Sequence, residues 1–306
     1  MCKLNISLNP SYYCNFRCPF CYLTEEQLGD KSRLLLEHLD MLLGKLNREC
    51  VFGTLDLYGG EPMMLPTKYL DDLKWVLQSN GFNEVNVVTN LSVDNPAIHD
   101  DYFYITVSYD FDAREKRDEV FSRMLTLTRP FSILILCTPE LVKSDVDQCI
   151  RELNILSMLN TVEIKPYSPN QANQLDVTNE DFEDVVKRFI DSGVEKNFNL
   201  TNEDLLEEVI TGKKNAFSDD HIYITPKGKI AVLDFDENNN EKFVELGDFD
   251  EYRRWCRMEK KRVRECIQCS ECEYVGKCLS EHLRPVREDE RSCNGYIKLI
   301  NWYKEG

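Results

Sequence analysis

The chain of 306 residues has no apolar run long enough to cross a membrane, which takes about 20 consecutive apolar residues. Its first ten residues, MCKLNISLNP, lack the charged and then apolar pattern of a secretory signal. The sequence also contains no internal repeat and no low-complexity segment. We therefore expect a cytoplasmic globular protein without a membrane partner.

The sequence is also short of positive charge. Lys and Arg number 37 against 54 Asp and Glu, so the formal net charge is −17. This balance argues against non-specific binding to DNA, RNA or an anionic membrane surface. It is compatible with a basic peptide partner, although a charge that only confers solubility is the more common reason for such a balance.

The thirteen cysteines stand in a long chain without a secretory signal, so a disulfide framework is not expected. In a reducing cytosol, clustered cysteines more often bind metal or carry out redox chemistry. Four cysteines stand alone in the sequence and are expected to be ordinary buried residues: Cys2, Cys50, Cys137 and Cys149.

From the start to about residue 170, short apolar runs rich in β-branched residues alternate with stretches at helical spacing. Repeated strand–helix units of this kind predict a parallel sheet covered by helices. The expected fold class is α/β, a partial (β/α)6 TIM-like barrel, because the strands are fewer than a closed barrel needs. The six predicted strands are KLNISL, TLDLYGG, EVNVVTN, YITVSYD, FSILILCTP and TVEIKPYSP.

The chain changes character after this region. TNEDFEDVVKRFIDSG predicts a linking helix capped by Thr178 or Asn179, and DLLEEVITG predicts another short helix. A hairpin with its turn at Gly228 and a cysteine-rich tail follow. We therefore divide the chain into a barrel domain over 1–193, a linker helix region over 194–220 and a small C-terminal module over 221–306.

Three cysteines, Cys14, Cys18 and Cys21, follow the first predicted strand in the stretch YYCNFRCPFCYL. Barrel-like α/β folds place active sites at this end of their strands. Thiolates select zinc or iron–sulfur clusters, and a structural zinc site needs a fourth ligand. Since no further Cys or His lies nearby in the sequence, three thiolates on a four-iron cluster would leave one iron open to a substrate or cofactor. A zinc site is the alternative.

The second predicted strand ends in YGGEP, where glycines allow a close approach of the backbone to a ligand, although such a stretch is often an ordinary turn. Together with the cysteine loop, it resembles the radical S-adenosylmethionine superfamily over roughly residues 3–170. The resemblance implies that Cys14, Cys18 and Cys21 hold a 4Fe–4S cluster that binds S-adenosyl-L-methionine. It further implies contacts with the cofactor's adenine from Phe20 and with its methionyl amino group from Gly59, Gly60 and Glu61.

Two later strand ends match the same superfamily. VVTN ends at Asn90 and VSYD contains Ser108, and the resemblance makes both candidates for the ribose and carboxylate of the cofactor. Asn and Ser at strand ends are also common turn formers. The implied chemistry is reductive cleavage of the cofactor to a 5′-deoxyadenosyl radical, which abstracts a hydrogen from the substrate.

The tail holds a second set of cysteines, and four thiolates are a full set for one cluster or for zinc. Beside such a core the set resembles the auxiliary-cluster module known as SPASM, or its shorter twitch form. Further ligands of that module are absent: Leu233 and His282 stand at two of their positions, and no cysteine lies between Cys149 and Cys256. We therefore expect one auxiliary 4Fe–4S cluster, with the ligands Cys269, Cys272, Cys278 and Cys293.

Two cysteines have no place in this pattern. Cys266 is spaced to compete with Cys269 as a ligand, and Cys256 and Cys266 are both candidates for a hydrogen donor near the substrate. His282 is expected to be a surface or supporting residue rather than a ligand.

The resemblance implies a radical S-adenosylmethionine oxidoreductase that oxidises or crosslinks a ribosomally made peptide, with flavodoxin or ferredoxin as electron donor. A small-molecule dehydrogenase or a peptide epimerase of the same superfamily is the alternative. A two-cluster electron-transfer protein and a zinc-dependent regulatory module are the alternative classes. Four side chains near strand ends are candidates to face the substrate, without an assigned role: Asp110, Glu163, Lys165 and Tyr167.

Because the predicted barrel starts at residue 3, no separate leader-binding domain is evident in the sequence. Recognition of a peptide would then use the tail, the strand edges or a separate protein. The identity of the substrate and the outcome of the reaction are not encoded in any residue pattern that we recognise.

Overall fold

The computed structural model describes residues 2–217, 219–235, 240–280 and 293–306, with Cys2 described through its backbone alone. The strands of this part of the chain form one sheet. They are β1 (Cys2–Leu8), β2 (Cys50–Leu57), β3 (Val85–Thr89), β4 (Phe103–Ser108), β5 (Phe131–Leu136), β6 (Leu159–Lys165), β7 (Asn199–Leu200), β8 (His221–Ile224), β9 (Ile230–Phe235) and β10 (Glu241–Leu246).

The six predicted strands are confirmed as β1 to β6, each paired in parallel with the next. The full strand order is β10-β9-β8-β1-β2-β3-β4-β5-β6-β7. Strands β7 and β8 extend the parallel part at its two sides, whereas β9 and β10 are antiparallel. The fold is therefore the expected α/β partial barrel, with the C-terminal hairpins continuing its sheet beyond β1.

Helices connect the strands and cover one face of the sheet. Short 3-10 helices span Pro62–Met64, Pro96–His99 and Phe111–Ala113. The α-helices are α1 (Glu25–Gly29), α2 (Leu36–Leu46), α3 (Thr67–Ser79), α4 (Arg117–Met124), α5 (Pro139–Lys143), α6 (Val146–Leu153), α7 (Asn179–Asp191), α8 (Thr201–Ile210), α9 (Phe249–Glu265), α10 (Ile267–Ser270) and α11 (Ile297–Glu305).

The hydrophobic core lies between the sheet and these helices. Leu4, Ile6 and Leu8 alternate along β1 and are buried together with Leu39 and Leu43 of α2. Since neighbouring side chains of a strand point to opposite faces, the intervening residues of β1 lie on the face away from the helices.

That second face is polar and crossed by hydrogen bonds between neighbouring strands. Asp56 accepts from Asn86 at 2.8 Å, and Asn86 accepts from Thr106 at 2.6 Å. Further pairs are Tyr104 with Ser132, Ser132 with Thr161, and Ser7 with His221. A sheet face lined in this way suits a polar ligand better than an apolar one.

The predicted features between the barrel and the tail are confirmed in their local form. Thr178 caps α7 in a capping box with Asp181, which satisfies backbone N–H groups at the start of the helix. The hairpin of β8 and β9 turns at Gly228, whose φ of 71° falls in the left-handed region. The division into domains at residues 193 and 221 stays a prediction.

The expectation for the isolated cysteines was wrong at one position. Cys137 and Cys149 are buried free thiols, as expected. Cys50 is buried but disulfide-bonded, at a point where the parallel register places the backbone of Cys2 opposite it. The pairing of β1 with β2 brings residues that are far apart in the sequence close together here. The spacing of the cysteines in the sequence does not indicate this proximity.

Among the described residues, no helix is both long enough and apolar enough to span a membrane.

Candidate functional site

The cysteine loop lies at the carboxyl end of β1 and is anchored from two sides. The N–H of Cys14 donates to the carbonyl of Leu28 in α1 at 3.2 Å. On the other side, the side-chain amide of Asn173, in the segment after β6, donates to the carbonyl of Cys21 at 2.5 Å. The loop is thus fixed at both ends of its cysteine run.

The three thiols of this loop influence one another. Burial raises the pKa of Cys14 to about 11 and that of Cys18 to about 12, and it raises the pKa of Cys21 as well. Cys21 adds to the rise at both other thiols, whereas the charge of Arg114 lowers the pKa of all three. A bound metal centre would instead lower the pKa of these thiols, because a coordinating thiol is deprotonated.

The backbone supports these sulfurs with hydrogen bonds. The N–H of Phe16 donates to Cys14 Sγ at 3.4 Å, and a backbone N–H of Leu23 donates to Cys21. In the described ranges, no three His, Cys, Asp or Glu side chains are gathered tightly enough for a single metal ion. A four-iron cluster binds its thiolates at separate corners, so it needs them farther apart than one ion does.

The glycines after β2 allow the two loops to meet. A Cβ atom on Gly60 would lie 2.2 Å from the carbonyl oxygen of Tyr13 and 2.4 Å from that of Tyr12. Gly59 has a φ of 117°, and its Cβ would lie 2.7 Å from the carbonyl oxygen of Ser11. Only glycine permits this approach, in which the N–H of Gly60 donates to Ser11 at 3.1 Å.

Glu61 joins the second loop to the end of β3. Its buried carboxylate accepts hydrogen bonds from Thr89 Oγ1 at 2.6 Å, from the Asn90 N–H at 2.6 Å and from the Met63 N–H at 2.9 Å. Burial nevertheless raises the pKa of this carboxyl group. Asn90 in turn places its side-chain amide nitrogen 3.8 Å from Cys14 Sγ. The structure thereby brings together three predicted parts of the site, which are the cysteine loop, Glu61 and Asn90.

Sequence reasoning missed Arg114, which lies at the centre of these groups. Its Nε donates to Asp110 at 2.8 Å, and the Asp110 side chain is 3% exposed. The charges of Asp110, Cys18 and Glu61 raise the pKa of the buried guanidinium, which keeps its proton. Its carbon Cζ lies 5.4 Å from the ring centre of Phe20. The sequence signal that could have indicated this pair was two opposite charges, Asp110 and Arg114, four residues apart and directly after a predicted strand.

Ser108 and Phe20 lie in the same part of the molecule. Ser108 is half-buried at the end of β4, which pairs in parallel with β3, so it shares the sheet edge with Asn90. Phe20 is half-buried beside Arg114. Phe20 thus belongs to the cysteine loop and Ser108 lies at the same edge of the sheet, while their contacts with a cofactor stay predictions.

Two of the four candidate substrate-facing groups pair with each other. Lys165 Nζ lies 2.7 Å from Glu163 Oε1 on β6. The hydroxyl of Tyr167 accepts from the Leu175 N–H at 2.8 Å and donates to Asn173, so it supports the segment that holds Cys21. Together with the Asp110–Arg114 pair, these contacts give all four groups a partner within the protein.

Aromatic side chains line the boundary between the cysteine loop and the C-terminal hairpins. Tyr22 stacks on Tyr58, with ring centres 6.1 Å apart, and meets the edge of Phe243 in β10 at 5.3 Å. Phe243 also contacts Tyr223 of β8 at 4.8 Å. No local sequence pattern indicated this cluster, because its members come from four separate elements.

Three of the four predicted tail ligands lie close together. Cys272 raises the pKa of both Cys278 and Cys293, beyond the rise that burial causes. A Cβ atom on Gly295 would lie 2.9 Å from Cys278 Sγ and 3.4 Å from Cys293 Sγ. The N–H groups of Gly295 and Tyr274 donate to Cys293 and Cys272 at 3.3 and 3.4 Å. As in the first cysteine loop, each of these N–H groups belongs to the residue two positions after the cysteine whose sulfur accepts its hydrogen bond.

The remaining tail cysteines differ in position. Cys269 lies in α10 and packs against the core, while Cys266 joins α9 to α10. Cys256 is buried within α9, where its thiol and the hydroxyl of Tyr252 are hydrogen-bonded. His282 lies outside the described residues.

No protein-family model and no curated protein matches the sequence. Solved structures do match. Streptococcus suis SuiB bound to S-adenosylmethionine has a TM-score of 0.63 at 16% identity, over 90% of this chain and 72% of that one. Native anSMEcpe with bound AdoMet has a TM-score of 0.66 at 15% identity, over 99% of this chain and 96% of that one.

A third match is S. suis SuiB bound to the precursor peptide SuiA, with a TM-score of 0.52 at 16% identity. It covers 74% of this chain and 58% of that one, so this chain spans less than two thirds of that protein's length.

Fold and site together define an α/β partial barrel with a three-thiol loop at the carboxyl edge of its sheet. This is the fold of the radical S-adenosylmethionine enzymes, so the resemblance seen in the sequence is confirmed at the level of the fold.

Proposed function

We propose that the protein is a radical S-adenosylmethionine enzyme that oxidises or crosslinks a ribosomally made peptide. The observation that carries this proposal is the meeting of three thiols, Glu61 and Asn90 at one edge of the sheet. The shared fold adds support, since SuiB and anSMEcpe are described with S-adenosylmethionine bound.

The residues of the loop fit a 4Fe–4S cluster. Cys14, Cys18 and Cys21 are soft ligands, and Cys21 lies close enough to Cys14 and Cys18 to raise the pKa of both. Backbone N–H groups already donate to two of the sulfurs, and such hydrogen bonds tune iron–sulfur clusters. When bound, the cluster and S-adenosyl-L-methionine supply a 5′-deoxyadenosyl radical by one-electron cleavage of the cofactor.

The protein's own contribution is to bind and orient the cofactor. Gly59 and Gly60 bring backbone atoms close to the cysteine loop, which suits them to the methionyl amino group. Glu61 joins its own loop to the end of β3 by accepting hydrogen bonds from Thr89 and Asn90, so we assign it a positioning role beside any contact it makes itself. Asn90, Ser108 and Phe20 border the remaining space, where they would meet the ribose, carboxylate and adenine.

Arg114 adds a fixed positive charge to this pocket. It lowers the pKa of all three thiols and thereby favours the thiolates that a cluster needs. Its ion pair with Asp110 holds the guanidinium in place beneath the loop.

The tail fits one auxiliary cluster held by Cys269, Cys272, Cys278 and Cys293. Cys272 contributes to the raised pKa of Cys278 and Cys293, and all three sulfurs accept hydrogen bonds from backbone N–H groups. A cluster with four protein thiolates has no open iron, so its suitable task is to take up the electron that an oxidised substrate loses.

A peptide is the substrate that the observations favour. SuiB is described with a precursor peptide, on the fold that this chain shares. The face of the sheet away from the helices offers polar groups for backbone amides, among them Asn86, Thr106 and Ser132. The aromatic cluster of Tyr22, Tyr58 and Phe243 adds an apolar wall at the mouth of this space.

The experiment that tests this function follows the mass of the product. The anaerobic, iron-reconstituted protein is incubated with S-adenosylmethionine, a reductant and candidate precursor peptides encoded beside it. We expect a peptide that has lost two hydrogen atoms, with one S-adenosylmethionine consumed per product. A product whose mass is unchanged in ordinary water, and which gains one deuterium when the reaction runs in heavy water, would point to epimerisation and contradict the proposal. Addition of a methyl group would contradict it as well.

A further inference from the structure

Helix α9 carries a row of exposed cations in a chain that is strongly acidic. The whole chain has a net charge of −17, whereas α9 contains seven Lys or Arg against four Asp or Glu residues. Four of the cations are exposed and follow one another at intervals of three, four and three residues, which places them on one helix face. We call this row the basic stripe; its members are Arg254, Arg257, Lys261 and Arg264.

The rest of α9 is committed to the fold. Its opposite face buries Tyr252, Cys256 and Val263. Its other cations are paired within the protein, Lys260 with Asp219, Arg253 with Glu49 and Arg262 with Glu259. The basic stripe is the part of α9 that the fold does not use.

The stripe itself has little to neutralise it. Lys261 has one exposed partner, Glu265, at 3.6 Å. Within the described ranges, Arg254 and Arg257 form no ion pair. Their charges are therefore available to a partner from outside.

Two large apolar side chains accompany the stripe. Met258 is 69% exposed in the same face of α9, and Ile267 is 70% exposed just beyond its end. An apolar centre with a charged rim is typical of a protein–protein interface, in which the charges steer the encounter and the apolar groups supply contact.

The stripe leads directly to the tail cysteines. It ends at Arg264, five residues before Cys269. The guanidinium of Arg264 and the ammonium of Lys260 lie 5.9 and 5.3 Å from the ring of Phe217. Phe217 in turn packs so tightly on Gly276, between Cys272 and Cys278, that a Cβ there would lie 2.2 Å from the ring.

We propose that the basic stripe, with Met258 and Ile267, is a docking surface for a small acidic electron-transfer protein of the flavodoxin class. The proposal rests on the proposed function, because such a partner has a use here only if the tail cysteines hold a cluster. In each turnover the substrate radical loses one electron and one proton to become the product. The electron passes by way of the tail to the partner's oxidised flavin, which takes up a proton from solvent.

The test is a binding measurement that needs no turnover. Oxidised, acidic flavodoxin is titrated into the cluster-loaded, full-length protein by calorimetry at low and at moderate salt. The stripe variant combines Arg254→Glu, Arg257→Glu and Lys261→Glu. The matched control combines Lys68→Glu, Lys143→Glu and Arg151→Glu, exposed positions that change the net charge equally.

We expect salt-sensitive binding to the wild-type protein, a loss of about tenfold or more in the stripe variant, and a change within about twofold in the control. Combined Met258→Ser and Ile267→Ser should weaken binding while the salt dependence stays as in the wild type. Equal losses in stripe variant and control, or no binding to the wild type, would overturn the proposal.

Two further readouts separate the possible failures. A polyglutamate peptide that binds the stripe more tightly than flavodoxin would make it a peptide site and overturn the proposal. Formation of 5′-deoxyadenosine with dithionite, a small reductant that needs no docking, should be the same in the stripe variant and the wild type. If that activity is present and flavodoxin does not bind, the docking surface is wrong and the proposed function stands.

Discussion

At the scale of the residue, Arg114 shows how a charge far from any motif can govern the site. Its side chain and that of Asp110 are 10% and 3% exposed, so both charges depend on each other for solvation. The same guanidinium lowers the pKa of Cys14, Cys18 and Cys21. Stability and thiolate formation are thus tied to one side chain.

Replacement of Arg114 by Gln should therefore be costly. It leaves the Asp110 carboxylate buried without its ion-pair partner, with only the Leu136 N–H, among the described residues, donating to it, and we expect the free energy of unfolding to fall by about 3–5 kcal/mol. Combined Asp110→Asn and Arg114→Gln should recover part of the loss, because no lone charge then remains. Urea unfolding measures both. As a control, Arg151→Gln, whose pair with Asp147 is exposed, should change stability by about 0.5 kcal/mol or less. A loss in the double variant as large as in Arg114→Gln would contradict this account.

Glu61 should make stability depend on pH in a definite direction. Because burial raises its pKa in the fold, the native state binds this proton more tightly than the unfolded chain. Its contribution to the free energy of unfolding is present below the ordinary glutamate pKa of about 4.3 and is lost as pH rises through the higher native value.

Glu61→Gln removes that dependence. The free energy of unfolding of the wild type minus that of Glu61→Gln should decrease as pH rises from about 4 to 8, measured by urea unfolding at several pH values. A difference that increases with pH would mean that the three hydrogen bonds outweigh burial and that the native pKa is lowered.

At the scale of the element, the site depends on two loops that touch through their backbones. A methyl group on Gly60 would overlap the carbonyl oxygens of Tyr12 and Tyr13, which cannot rotate away. We expect Gly60→Ala to cost about 1–3 kcal/mol and to reduce iron incorporation in the cysteine loop.

Gly44, in the last turn of α2, is the matched control, since a Cβ there would meet no atom within 4 Å. Gly44→Ala should stabilise the protein by about 0.5–1 kcal/mol through the higher helix propensity of alanine, with iron content unchanged. Equal effects of the two substitutions in thermal unfolding would show that the contact between the loops is unimportant.

The tail makes a second element-scale prediction, about the identity of its ligands. Cys272→Ala and Cys278→Ala should each remove one cluster, visible as a loss of about half the iron and of charge-transfer absorbance. Cys256→Ala and Cys266→Ala should retain both clusters, since Cys256 is hydrogen-bonded to Tyr252 and Cys266 lies at a helix junction. If Cys266→Ala alone halves the iron content, Cys266 replaces Cys269 as a ligand.

Local sequence signals predicted the elements that carry their own pattern. The apolar strands β1 to β6, the cap of α7 at Thr178 and the turn at Gly228 all have such signals within a few residues. The sequence did not reveal α9 as a helix, because its buried face has only a few members among many charges. The Arg114 pocket, the aromatic cluster and the disulfide at Cys50 arise from contacts between distant elements, which no local pattern encodes.

At the scale of the whole molecule, the sheet joins the two cysteine sets into one framework. The hairpins of β8 to β10 add to the edge of β1, the strand that leads into the cysteine loop. The N–H of Glu241, at the start of β10, donates to the carbonyl of Pro169 at 2.8 Å, in the segment that also holds Cys21. Changes in the C-terminal hairpins are therefore positioned to affect the cysteine loop.

The central claim is that Cys14, Cys18 and Cys21 hold the cluster at which S-adenosylmethionine is cleaved. The most direct measurement is 5′-deoxyadenosine formed by the anaerobic, iron-reconstituted protein after reduction, compared between the wild type and a variant with all three cysteines replaced by Ala. A control with Cys137→Ala and Cys149→Ala removes two buried free thiols outside both sets. We expect formation of 5′-deoxyadenosine in the wild type and in the control. In the triple variant we expect none, with the iron of the tail retained. Formation of 5′-deoxyadenosine by the triple variant would contradict the account.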